Sequence, residues 1–566
     1  MLLLSTAQNL TLTAEDIKHL QYDEVHGIGS HTSSEATLGL ARTWLNRCRR
    51  KHSSCKPLSS KEEFLPARLI DTEPRQRSEW RLRITAKHKD EPATYMTLSH
   101  RWGTVPFLNL TTKNIRELEA GHPLSALEKT FREAVEIVRR LGERFLWIDS
   151  LCIVQDSLRD WQEQSAAMRD IYTHSVCNIA ATGAADSHGG CYFERNVSDI
   201  LPCTIPKNSQ GSPSIDFAVV SMDLWTDDIE RAPLNQRGWV LQERLLAPRT
   251  LHFAAQQIFW ECNEMNACEM YPKELPSTYF LEDRQPSIRC HHPLFSANAG
   301  KPDENFGRQT SSAQDPYMFW GRIVYAYSHC RLTRSEDKLA AASGLASQLQ
   351  QMTKDNYYAG LWSKDLAGQL LWSVVGCAQA DGSASRRPEP YRAPTWSWAS
   401  VDGIIKTNDL PFDGSFGKPL FDVLDIRTVP LTGDVTGQIS KGAYLRIKGV
   451  LTKASIVCGP GGVTRLKIGR IDSDIVFRLD TRSGESFSDL SCVPIGHYML
   501  PPYQDRPSIQ GLILHRSEVE GHSYIRLGTF RVESRAHCQE LGLEFEGDES
   551  LGSYPADSAQ RSITIL

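Results

Sequence analysis

Asp149 follows an apolar run directly in the stretch FLWIDSLCIVQDS, Phe145 to Ser157. A carboxylate placed there is costly to leave unpaired, so it either braces the next loop or faces a ligand. Two other stretches bring groups of the same kind. TYMTLSHRWG sets Ser99, His100, Arg101, Trp102 and Gly103 at the end of another apolar run. LNQRGWVLQERLLAPRTLHF sets Arg237 and Trp239 ahead of Glu243, with Arg244 beside it. A carboxylate held by arginines in a cleft can move protons, whereas the same pair in open solvent contributes little. Cys152 near His100 has the composition of a thiol nucleophile and its base, and a thiol at a helix start ionises more readily.

Two looser groups carry metal-ligand types. Cys48, His52 and Cys55 fall close together, and Cys262, Cys268, Cys290, His291 and His292 make a second set. Neither has the compact four-ligand spacing of a zinc finger. Packing thiols and surface histidines are the expected reading, with no metal.

The elements that position these groups follow from periodicity. TYMTLS, Thr94 to Ser99, reads as a strand. PLSALEKTFREAVEIVRRLG reads as an amphipathic helix with Leu124, Leu127, Phe131, Val135, Val138 and Leu141 on one face. Ser125 and Glu128 have capping-box spacing, and Gly142 marks the stop. FLWI is short and wholly apolar, as a strand buried on both faces should be. A second helix follows Ser157, with Trp161, Ser165, Met168 and Tyr172 on a stripe expected to pack on the sheet. VCNIAAT is a third strand, closed by Gly183. Strand, helix, strand, helix, strand predicts a parallel α/β sheet with right-handed crossovers. Ligands of such sheets sit at the carboxyl ends of strands, so Ser99 to Gly103, Asp149 to Cys152 and Gly183 should meet at one edge.

Elsewhere the chain is less specific. ATLGLARTWLNRCRRKH belongs to a helical lead-in over residues 1–90, and the α/β unit is expected over 91–255. Residues 256–317 are polar and rich in Pro, Ser and Asn, and read as an insertion or linker. Helices and TWSWASVDG, whose tryptophans would share one face of a strand, occupy 318–410. Residues 411–566 read as a β-rich domain, a small sandwich or barrel.

Composition limits the function classes. The 566 residues carry 63 basic and 68 acidic side chains, a formal charge of −5, which leaves no electrostatic footprint for nucleic acid. Fourteen cysteines without C-x-x-C pairing suit reduced thiols in a cytoplasmic protein better than a disulfide scaffold. No apolar run is long enough to span a membrane, and MLLLSTAQNL lacks the basic n-region of a signal peptide.

Taken in order, TLSHRWG, WIDSLCIVQDS with DWQEQSAAMRDIYTHSVCNIAAT, and RGWVLQERLLAPRTLHF resemble the three blocks of the fungal heterokaryon-incompatibility (HET) domain. The resemblance covers about Tyr95 to Phe253, with flanks similar to those of large fungal HET proteins. Arg101 departs from it, standing where many relatives carry a smaller apolar residue. The resemblance implies non-self recognition and a trigger of programmed cell death. It implies partners among other incompatibility or signalling proteins, and self-association. It also implies a flavodoxin-like α/β sheet comparable with TIR domains, some of which cleave NAD with a glutamate.

Two readings of the edge follow. As an NAD-cleaving site it needs a carboxylate at an oxocarbenium-like ribose, a stacking surface and phosphate donors. Glu243, Trp102 or Trp239, and Arg237 with Arg101 supply those types, with Glu163 as a second carboxylate. NAD would then be a substrate, since no G-x-G-x-x-G follows the first strand to hold it as a cofactor. As an interaction module, Asp149, Gln155, Arg237 and Glu243 instead form a structural hydrogen-bond network.

Overall fold

The computed structural model describes residues 28–566 except 57–63, 75, 89–90, 92, 202, 206–216, 220, 222, 277–314, 378, 380–381, 408–416, 459–463, 482–488, 500–506, 518–522, 545–553 and 555–558. Residues 277–314 of the expected 256–317 linker, with Cys290, His291 and His292, lie outside the described residues, while Ile258–Cys262 and Asn266–Cys268 are strands of the sheet rather than linker. Contacts divide the chain into two compact units, Met1–Asp303 and Glu304–Leu566.

The first unit is built on a nine-stranded sheet. Its strands in chain order are β1 (Arg68–Asp71), β2 (Glu79–Ile84), β3 (Tyr95–Ser99), β4 (His122–Pro123), β5 (Phe145–Ile148), β6 (Asn178–Ala180), then, after a separate hairpin of β7 (Cys203–Ile205) and β8 (Phe217–Val219), β9 (Arg249–Phe253), β10 (Ile258–Cys262) and β11 (Asn266–Cys268). In space the order is β11-β10-β9-β6-β3-β5-β1-β2-β4. The α/β class is as expected, but the sheet is mixed. Parallel pairing joins β9, β6, β3 and β5, and antiparallel strands flank both sides. FLWI is interior, with every residue buried between β3 and β1.

The helices show which local signals decided. Helix α1 (Glu35–Lys51) is capped by Ser34, and α2 (Ile115–Ala120) follows β3. Helix α3 (Lys129–Arg140) buries Phe131, Ala134, Val135, Ile137 and Val138. Gly142, at φ +84°, ends it in a Schellman motif: its N–H reaches Arg139 O, and that of Glu143 reaches Val138 O. The capping box does not form. Leu124–Ala126 is a 3-10 turn, and Glu128 is the N-cap residue without a side-chain cap. Its carboxylate instead takes the Leu108 N–H at 2.8 Å, fixing the loop after β3. A single turn, α4 (Asp149–Cys152), follows β5, and α5 (Leu158–Thr173) starts at the Ser157 cap. Helix α6 (Gly238–Leu246) is buried almost all round.

In the second unit, helices α7 (Pro316–Ser328) and α8 (Ala340–Thr353) precede a ten-stranded, mostly antiparallel sheet. Trp396 and Trp398 are core residues as expected, though they sit at a 3-10 turn rather than on a strand. Arg526, from the strand Ser523–Val532, is buried against Asp480 and donates to the Leu370 carbonyl at 2.7 Å. No helix among the described residues is long and apolar enough to cross a membrane.

Candidate functional site

Parallel pairing brings the carboxyl ends of β3, β5 and β6 to one edge. The chain leaves β3 for β5 on one side and later continues from β6 to β9 on the other. The connection therefore reverses between β3 and β6, the kind of position where open α/β sheets open a crevice. Ser99 ends β3 and Asn178 starts β6, and the two side chains hydrogen-bond there.

Glu243 reaches this point from α6. Its Oε2 accepts the Ser99 hydroxyl at 2.5 Å, and the Tyr172 phenol of α5 bonds the same carboxylate. Only 4% of Glu243 is exposed. Burial, with the nearby charge of Asp149 adding to it, pushes the carboxyl up to about 7 against the pull of Arg237 and its hydrogen bonds. Burial and the adjacent carboxylate hold the Tyr172 phenol protonated as a donor.

Asp149 sits beside this core, half-buried at the start of α4. It takes Trp102 Nε1 at 2.9 Å on Oδ2 and its neighbour's N–H, from Ser150, at 2.7 Å on Oδ1. His100 is buried, with Nδ1 3.5 Å from Asp149 Oδ1, and neither ring nitrogen makes a well-formed hydrogen bond among the described residues. Its ring stacks on Trp102 and meets Phe131 edge-on. Burial pushes the imidazole down to about 4, outweighing the attraction of Asp149, so it is neutral at pH 7. Arg237 donates to the His100 carbonyl, which ties the third sequence block to the first. Gln155 donates to the carbonyls of Asp149 and Ile153, closing the loop after β5. Gly103 takes φ +73°, where a Cβ would lie 2.4 Å from Asp186 Cβ.

Ser99, His100, Trp102, Asp149, Gln155, Arg237 and Glu243 are thus brought together. Other candidates are not. Glu163 stands exposed on α5, paired with Arg159 at 2.8 Å. Cys152 is fully buried, its thiol pushed up to about 12 by desolvation, which is the opposite of an activated nucleophile. Arg68 Nε donates to its carbonyl at 2.6 Å. Trp239 is half-buried and meets Trp161 of α5 edge-on at 6.4 Å. Arg244 turns away from Glu243 and pairs with Glu261 on β10 at 2.6 Å. Burial would raise the Glu261 carboxyl, but Arg244 and His252 together hold it well below the usual carboxylate range.

Sequence reasoning missed Tyr172 and Asn178 as parts of the site. Tyr172 was legible only as a helix-stripe residue. A polar Asn178 inside an otherwise apolar strand was the available signal, since buried amides need partners.

The same geometry frames the comparisons. The family model described as Heterokaryon incompatibility protein (HET) matches residues 95–243, from the first residue of β3 to Glu243 itself. No curated protein and no solved structure matches the chain. The matched blocks are those that converge on the Ser99–Glu243 edge, so the similarity to the heterokaryon-incompatibility (HET) family lies in the segment that builds this edge.

Proposed function

We propose that the chain is a fungal non-self-recognition protein whose HET domain triggers cell death by binding other incompatibility or signalling proteins, or further copies of itself, in the cytoplasm. The observation that carries this reading is the closure of Glu243. The carboxylate that nucleotide cleavage would require is buried under Ser99 and Tyr172. Trp102 and Asp149 are half-exposed and bonded to one another, and Arg237 is bonded to the His100 backbone. Residues engaged in this way shape a rigid rim, and half-exposed tryptophan and arginine side chains suit protein recognition.

A second reading, hydrolysis of NAD by a TIR-like site, is favoured by one observation. Burial and the nearby Asp149 charge push the Glu243 carboxyl up to about 7, the range in which a general acid or base works.

Expression of the full chain in yeast, following growth and cellular NAD, separates the two. The interaction reading expects growth arrest at constant NAD, retained in Glu243→Gln. Loss of NAD that Glu243→Gln abolishes would replace it with the hydrolytic one. Unimpaired growth with the wild-type chain would remove the effector reading altogether.

A further inference from the structure

One residue of the second loose group of metal-ligand types, Cys262, meets all three of the first. Cys48 lies in the last turn of α1, and His52 is that helix's C-cap residue. Cys55 follows in the next turn, and Cys262 ends β10. Three sulfurs and one imidazole nitrogen from these residues all lie within 4.8 Å of one another. His52, expected at the surface, is buried like the three cysteines. Its Nδ1 is 3.4 Å from Cys262 Sγ. A tetrahedral zinc ion with Zn–S near 2.3 Å and Zn–N near 2.1 Å separates a sulfur and a nitrogen ligand by about 3.6 Å.

We propose that Cys48, His52, Cys55 and Cys262 bind one structural Zn²⁺. The donor set decides the metal class. Three thiolates and an imidazole select zinc over magnesium, calcium or manganese, which take oxygen ligands. Four protein ligands complete the tetrahedron, so the site is closed and leaves no position for a substrate. Binding replaces three thiol protons by the metal: Zn²⁺ + 3 RSH + imidazole gives [Zn(SR)₃(imidazole)]⁻ + 3 H⁺, with no change of oxidation state.

The surroundings suit that anion. Arg249 Nε lies 3.1 Å from Cys48 Sγ, and its Nη2 donates to the Cys55 carbonyl at 2.8 Å. The guanidinium therefore offsets the net negative charge of the complex and fixes one ligand loop, as outer residues of metal sites do. Asn263 holds the Ser54 carbonyl at 2.8 Å, and Glu264 holds the Ser54 N–H at 2.6 Å. The turn that presents Cys55 is thus fastened to the strand end that presents Cys262.

The site lies away from the candidate functional edge. Cys262 pairs with Arg249 at the start of β9, whose far end, Phe253, accepts the Gly183 N–H. The metal would pin α1, which precedes the matched segment, to the opposite edge of the sheet. That makes residues 35–55 part of the folding unit even though the family model begins at residue 95.

The test uses the full chain, purified under reducing conditions with zinc in the growth medium and analysed for metal content and free thiols. The expected result is about one zinc per chain, four-ligand binding being tight. Cys55→Ser and Cys262→Ser should each lose it, and Cys330→Ser, outside the cluster, should keep it. Where a variant fails to fold, the wild-type chain is stripped and loaded with Co²⁺ alone, which should show the visible bands of tetrahedral cobalt with thiolate charge transfer. Folded protein with fully titratable thiols and neither metal would overturn the proposal. So would zinc retained by Cys262→Ser, or a disulfide among Cys48, Cys55 and Cys262 in the reduced preparation.

Discussion

The Ser99 hydroxyl donates to Glu243 across 144 residues of chain, over 2.5 Å, joining the end of the first core strand to the helix that closes the HET segment. The bond is buried, and so is the carboxylate that accepts it. That arrangement sets the energetic behaviour of the edge, because a buried acid prefers its neutral form.

The stability of the first unit should therefore depend on pH through Glu243. Its folded pKa, about 7, lies above the ordinary 4.5, so the native state binds the extra proton between those values and stability falls as pH rises through that window. The difference amounts to about 3 kcal/mol. Urea melts of wild type and Glu243→Gln, compared from pH 4.5 to 8, should show the variant gaining on the wild type by that order and levelling off above pH 7. A constant gap between the two would show that Glu243 is ionised in the fold.

Asp149→Asn should act on the same titration. The substitution keeps an acceptor for Trp102 and removes the charge that helps raise Glu243. The Glu243-dependent step should move to lower pH, while the weaker bond to the indole costs about 1 kcal/mol. A step that stays where it was would mean that burial alone sets the carboxyl.

Trp161 and Trp239 should couple to each other. Their rings meet edge-on at 6.4 Å, and Trp161 is only half-buried. Each single change to alanine is expected to cost about 1–3 kcal/mol, with a coupling of roughly 0.5–1.5 kcal/mol in the double-mutant cycle. Additive losses would show that the contact carries no energy of its own.

Gly103→Ala should destabilise by about 1–3 kcal/mol, from the left-handed backbone and the clash with Asp186. The loop carrying Trp102 would shift with it. Quenching of tryptophan fluorescence in the Gly103→Ala chain, read against wild type, should rise. An unchanged melt would mean that the loop adopts another backbone without penalty.

Much of this was legible in the chain. FLWI could only be an interior strand, because four consecutive apolar residues leave no face for water, and it lies between two neighbours as that demands. Periodicity placed the amphipathic face of α3, and Gly142 marked its end because a left-handed residue costs glycine least. Strand-end logic brought Ser99 and Asp149 to one edge, and the tertiary fold added the Arg237-to-Glu243 block from a helix. Tertiary structure decided which partner each polar group took. Glu128 and Ser125 had the spacing of a capping box, but the loop at Leu108 offered the carboxylate a backbone donor and the helix began later. Arg244, next to Glu243 in the chain, turns to Glu261 because successive residues on a helix point in different directions. Burial is likewise a property of the assembled sheet. It turned Cys152 from a candidate nucleophile into an inert thiol. It also gathered Cys262 to Cys48, His52 and Cys55, a meeting of residues some 200 positions apart that no local spacing could announce.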